Sequence, residues 1–122
     1  MGILSDVKTI LDGLNIPCET GTMSDLAEDT YCVLVPIAES SLWGDDTIDT
    51  NVEECMISLY TKGNYITVKT NIIKALLEGG CTITDRRYIE YESTTHYYHY
   101  EIFVEHPYAF AEEEQNNESE EN

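Results

Sequence analysis

Residues 31–38 read YCVLVPIA, an almost continuous apolar run containing β-branched side chains. A short run of this kind reads as a strand buried on both faces, closed by Pro36 near its end. A chain that must bury such a strand has to build a sheet around it, and the flanking segments supply the parts.

Ile3, Leu4, Val7, Ile10, Leu11 and Leu14 recur at three- and four-residue steps, the signature of one face of an amphipathic helix. Gly13 weakens its end and Asn15-Ile16-Pro17 stops it. Residues 18–30 then read as a polar connector. Residues 39–48, ESSLWGDDTI, read as a loop, with Gly44 and paired aspartates as turn material. Within 49–60, Cys55, Ile57 and Leu59 alternate with Glu54, Ser58 and Tyr60, which predicts a half-buried strand. TKGN (61–64) is a turn. From Tyr65 the period changes: Ile66, Ile73 and Leu77 fall on one side, flanked by Val68, Ile72 and Leu76, and Gly79-Gly80 ends this second helix. Residues 87–92 and 97–105 form two strands joined through Ser93-Thr94-Thr95 as a hairpin.

The order is therefore α-β-β-α-β-β. Hairpin-joined strands predict an α+β fold: an antiparallel or mixed sheet of four to five strands, with two helices packed on one face. The length of 122 residues suits one domain, placed here at 1–110. Residues 111–122, AEEEQNNESEEN, carry six acids and no apolar side chain beyond Ala111, so they are expected to form a disordered acidic tail.

Charge narrows the function. Six Lys and Arg stand against 24 Asp and Glu, a formal net charge of -18. Without the tail, 18 acids still face six bases. A phosphate-tracking surface needs clustered cations, so direct nucleic-acid binding is disfavoured, and anionic membranes are disfavoured by the same electrostatics. The N-terminus has no cationic start followed by an apolar run, and no stretch is long enough to span a bilayer; a cytoplasmic site of synthesis is expected. Cys18, Cys32, Cys55 and Cys81 lack CxxC spacing, and Cys32 and Cys55 lie in apolar settings. Buried reduced thiols are the expectation.

The residues give no sign of catalysis. His96 and His99 are three apart, which on a strand directs them to opposite faces and argues against a shared metal ion. Asp45, Asp46 and Asp49 lack the register of a calcium-binding hand. Neither a phosphate-cradling glycine loop nor a nucleophile elbow occurs. No enzyme activity, metal or cofactor is expected.

Two features suggest an interaction protein instead. In the closing hairpin, Tyr98, Tyr100, Ile102 and Val104 can line a core face, which leaves Tyr97, His99 and Phe103 opposite, beside Glu101 and Glu105. That second face suits either ordinary cross-strand packing or a subunit interface. Trp43, in the 39–48 loop, can fold back onto the core or serve as a partner anchor. Arg86 and Arg87 are a basic doublet in an acidic chain, able to pair with acids on a neighbouring copy or to remain an ordinary surface pair. The interface candidates are thus Trp43, Arg86, Arg87, Tyr97, His99 and Phe103.

Taken together, the opening helix (3–14), the strand CVLVPIAESS, the strand ending MISLYTKG, the helix ITVKTNIIKALLEGG and the hairpin ending YYHYEIFVEH resemble the tail-terminator (tail-completion, minor tail) proteins of long-tailed bacteriophages, over residues 3 to 106. The resemblance implies a virion protein with no catalytic residue. It implies a homohexameric ring on the last ring of the tail tube that stops tube polymerisation and meets the head connector. DNA would pass through the channel without specific binding, and an acidic lumen would repel phosphate. The alternatives are a head-completion or connector protein of the same neck region, or an acidic DNA mimic that inhibits a nucleic-acid-binding protein.

Overall fold

The structure, a computed structural model, describes residues 2–21, 28–44 and 47–109. The acidic segment 111–122 and Asp45-Asp46 lie outside these residues. In chain order the elements are α1 (Ile3–Gly13), β1 (Cys18–Thr20), β2 (Thr30–Gly44), β3 (Thr47–Thr61), α2 (Tyr65–Glu78), β4 (Thr82–Glu92) and β5 (Tyr97–Ala109). The strands form one mixed sheet in the order β1-β2-β3-β5-β4, with β1 parallel to β2 and every other pair antiparallel. This is the α+β architecture expected, with β1 added inside the supposed connector.

The core forms where alternation puts apolar side chains in rows across the central strands. Cys32, Leu59 and Tyr100 make one row, Leu34, Ile57 and Ile102 the next, and Cys55 and Val104 a third. Ile3, Val7 and Leu11 of α1 and Ile72 and Leu76 of α2 close over these rows in a single buried cluster. No helix among the described residues is long and apolar enough to cross a membrane.

Both helices end in the same way, for different residue reasons. After α1, Asn15 takes a left-handed φ of 61°, and the N–H groups of Asn15 and Ile16 reach back to the carbonyls of Asp12 and Leu11. After α2, Gly80 does so at φ 86°, with Gly80 and Cys81 returning to Leu77 and Leu76. These are Schellman caps, and in each the apolar residue after the turn (Ile16, Cys81) is buried in the same core cluster as its partner. At the other end of α2, the Asn64 side chain accepts from the Ile66 and Thr67 amides. Helix α1 begins at Gly2, which has no side chain to cap with. The Glu53 carboxylate of β3 accepts from the Ile3 amide at 2.9 Å instead, placing an anion at the positive end of the helix.

Four expectations are corrected. Residues 39–44 and 47–48 are strand, not loop: β2 and β3 pair as a long hairpin, with Glu39 opposite Glu53, Ser41 opposite Asn51 and Trp43 opposite Ile48. Pro36 does not close its strand, because β1 pairs only as far as Leu34. Beyond it β2 is a sheet edge, and a bulge between Pro36 and Ala38 absorbs the missing donor. Helix α2 is rotated from the face predicted for it, with Ile72 and Leu76 fully buried while Ile66 and Leu77 are 56% and 55% exposed. Its apolar band is wider than the sheet it covers, so spacing alone does not say which edge of the band turns inward. β4 also starts earlier than expected, at Thr82 rather than Arg87.

Candidate functional site

The sheet face away from the helices is built on tyrosine. Tyr31, Tyr60 and His99 stand side by side on β2, β3 and β5. Tyr31 stacks on Tyr60 at 5.0 Å between centroids, and Tyr60 on His99 at 4.3 Å. Tyr97 meets Tyr31 edge-on at 5.4 Å, donates its hydroxyl to the Glu28 carbonyl, and carries the Lys62 ammonium 5.0 Å above its ring. The next row is Val33, Ser58, Glu101 and Arg87, and beyond it lie Met56, Phe103 and Asp85. The Arg87 guanidinium lies 5.2 Å over Phe103 and pairs with Asp85 at 3.0 Å. The structure therefore keeps Tyr97, His99 and Phe103 on one face, as alternation along β5 required, and the β4–β5 register brings Arg87 to the same face.

Two phenols of this face, Tyr31 and Tyr60, are held protonated. Burial pushes the Tyr31 hydroxyl up to about 12, helped by Tyr97, Tyr60 and Glu92. Burial, with Glu92, Glu101 and Glu90 behind it, raises Tyr60 in the same direction. His99 Nε2 stands 3.9 Å from the Glu101 carboxylate, too far for a hydrogen bond. It has no hydrogen-bond partner among the described residues. His96 sits apart in the β4–β5 turn at φ 65°, its ring nitrogen 2.9 Å from the Tyr91 hydroxyl. The described residues bring together no group of three or more His, Cys, Asp or Glu able to hold a metal ion. All four cysteines are buried free thiols, and burial raises each, Cys55 to about 12.

Arg86 and Arg87 do not act as a doublet. Adjacent strand residues face opposite sides, so Arg87 joins the tyrosine face while Arg86, opposite Ile102, turns to the helix side. There it rims a groove of about 610 Å³ between the end of α2 and the start of β4, lined by Ile73, Leu77, Cys81 and Ile83. Trp43 is in neither place. It lies on β2 near the hairpin tip, 66% exposed, and does not fold back onto the core.

Sequence reasoning missed Tyr31, Tyr60 and Glu53. The two tyrosines lie in segments recognised as strands, but only the cross-strand register puts them beside His99. Glu53 is fifty residues from the amide it caps, and nothing local marks it.

No protein-family model matches the chain, and no curated protein matches it. Among solved structures, the chain is similar to a protein of the "Virion of native gene transfer agent (GTA) particle". The TM-score is 0.54 and the identity 9%, over 88% of this chain and 92% of that one. The likeness is one of fold, and it runs nearly end to end in both chains.

Proposed function

We propose that this chain is a structural virion protein: a ring-forming subunit at the head-proximal end of a phage tail tube. It would stop tube polymerisation and present the surface that meets the head connector. The observation that carries this reading is the fold shared, over almost the full length of both chains, with a protein of a virion particle. The surface supports it. Exposed large apolar side chains lie on the β2–β3 hairpin (Ile37, Leu42, Trp43) and along α2 and β4 (Ile66, Leu77, Tyr88), as expected of a subunit that buries them in an assembly. A net charge of -18 suits a channel through which DNA must slide without adhering.

Native mass spectrometry across a concentration series, with negative-stain imaging, tests the ring; closed hexamers are the expected result. Adding the protein to tail tubes growing from the tube protein of the same virion tests the terminator role. Tubes should stop lengthening. Rings that leave tube growth unchanged would assign the chain to the head side of the neck. A monomer binding a basic DNA-binding protein in a strongly salt-sensitive manner would replace the whole reading with that of a DNA mimic.

A further inference from the structure

Two surfaces of this molecule complement each other yet do not meet within one chain. The first is the outer end of the β2–β3 hairpin, where Leu42 and Trp43 are exposed. Residues 28–61, which include this hairpin, hold eight Asp and Glu and no Lys or Arg, and Glu39 and Asp49 belong to its described outer part. The second is the groove between α2 and β4, where Ile73, Leu77 and Ile83 form an apolar wall and Thr84, Asp85 and Arg86 a polar side; the Asp85 carboxylate is already paired with Arg87 at 3.0 Å. The Arg86 side chain has no ion-pair partner among the described residues, in contrast to Arg87. The sheet order sets β2 and β4 three strand spacings apart, roughly 14 Å.

We propose that the hairpin tip of one copy docks into the α2–β4 groove of the next, with Trp43 against the apolar wall and Arg86 paired with hairpin carboxylates. The proposal rests on the ring-subunit reading and deepens it by naming the joint. An aromatic beside anions on one surface matches an apolar wall beside a free cation on the other, and Trp and Arg are the side chains that most often anchor interfaces. The groove's volume lies within the range that takes a ligand larger than an indole ring. A self-complementary contact between two hairpins would set acid against acid and is disfavoured. Because the two surfaces differ, the contact is head-to-tail, the kind that propagates and closes into a ring. It is made through side chains rather than by extending the sheet, because bulges at Ile83/Asp85 and Tyr88/Glu90 interrupt the outer edge of β4.

The test uses the full chain and two variants at exposed positions, Trp43→Asp and Arg86→Glu, with far-UV circular dichroism confirming that each is folded. In native mass spectrometry each variant alone should lose assembly, its association roughly 30-fold weaker or more. Mixed one to one, they retain a single intact joint between the groove of the first and the hairpin of the second. The mixture should therefore give heterodimers and nothing larger. Rings that persist in either variant would overturn the proposed joint while leaving the ring reading in place. A mixture with no heterodimer would overturn it too. A wild-type chain that stays monomeric at every concentration would remove self-docking, while the tube-growth assay would still judge the virion role separately.

Discussion

Strand β2 is two different structures along one length. From Tyr31 to Leu34 every side chain is buried, whereas from Pro36 to Gly44 every one is exposed. The first half is held by what it buries: β1 on one side, β3 on the other, and helices above. The second half has only the hydrogen-bonded ladder to β3. Its conformation costs ordering entropy that side-chain burial does little to offset within the chain. A fifteen-residue strand that spends half its length in solvent is better explained by what it reaches than by what it stabilises.

The broadest way to break the buried half is alkali. The core thiols and phenols, Tyr31 and Cys32 in that half with Cys55 of β3 and Tyr108 of β5 beyond it, are all raised above their ordinary values of 9.0 and 10.0, Cys55 and Tyr31 to about 12. The unfolded chain therefore releases these protons first, so stability is full below about pH 9 and falls as pH rises through 12. Denaturant midpoints should be flat near neutrality and collapse in that window. A midpoint unchanged to pH 12 would refute the assignment.

Cavities come next. Ile57→Ala, at a fully buried position, should cost about 2–5 kcal/mol in urea unfolding. Glu53→Ala removes the carboxylate that caps α1 and should cost about 1.5–3 kcal/mol, because the Ile3 amide is left without its partner in a buried site. The smallest effect sharpens the comparison most. Leu42→Ser, on the exposed half of the same β2–β3 ladder, should change stability by no more than about 0.5 kcal/mol while weakening self-association. A large loss of stability there would show that the outer hairpin supports the fold after all.

The same division explains what the sequence made legible. In β5, strict alternation assigned Tyr98, Tyr100, Ile102 and Val104 inward and Tyr97, His99 and Phe103 outward, and the structure agrees. That signal exists because one face is covered. Residues 39–44 have no covered face, so they carry no alternation, and their Ser and Gly read as loop although main-chain pairing makes them strand. β1 is three residues long and parallel, formed by a pairing that local composition does not announce. The surface candidates divided in the same way. Period two puts Tyr97, His99 and Phe103 on one face, and with β4 starting at Thr82 it also separates Arg86 from Arg87.

Helix α1 is made before the other described elements, yet it is tied to the last of them. Its amide cap comes from Glu53, and Tyr108 donates its hydroxyl to Asp6 at 2.6 Å across 102 residues of sequence. In the strand order, β5 stands between β3 and β4, so β4 joins the sheet only through β5. Synthesis from the N-terminus therefore cannot lay this domain down piece by piece. The nascent helix must wait, its apolar stripe only partly covered and its Asp6 without the Tyr108 hydroxyl, until the final strand is available to complete the sheet beneath it. A chain cut short anywhere before β5 has neither a finished sheet nor an anchored first helix, so incomplete subunits exclude themselves from assembly.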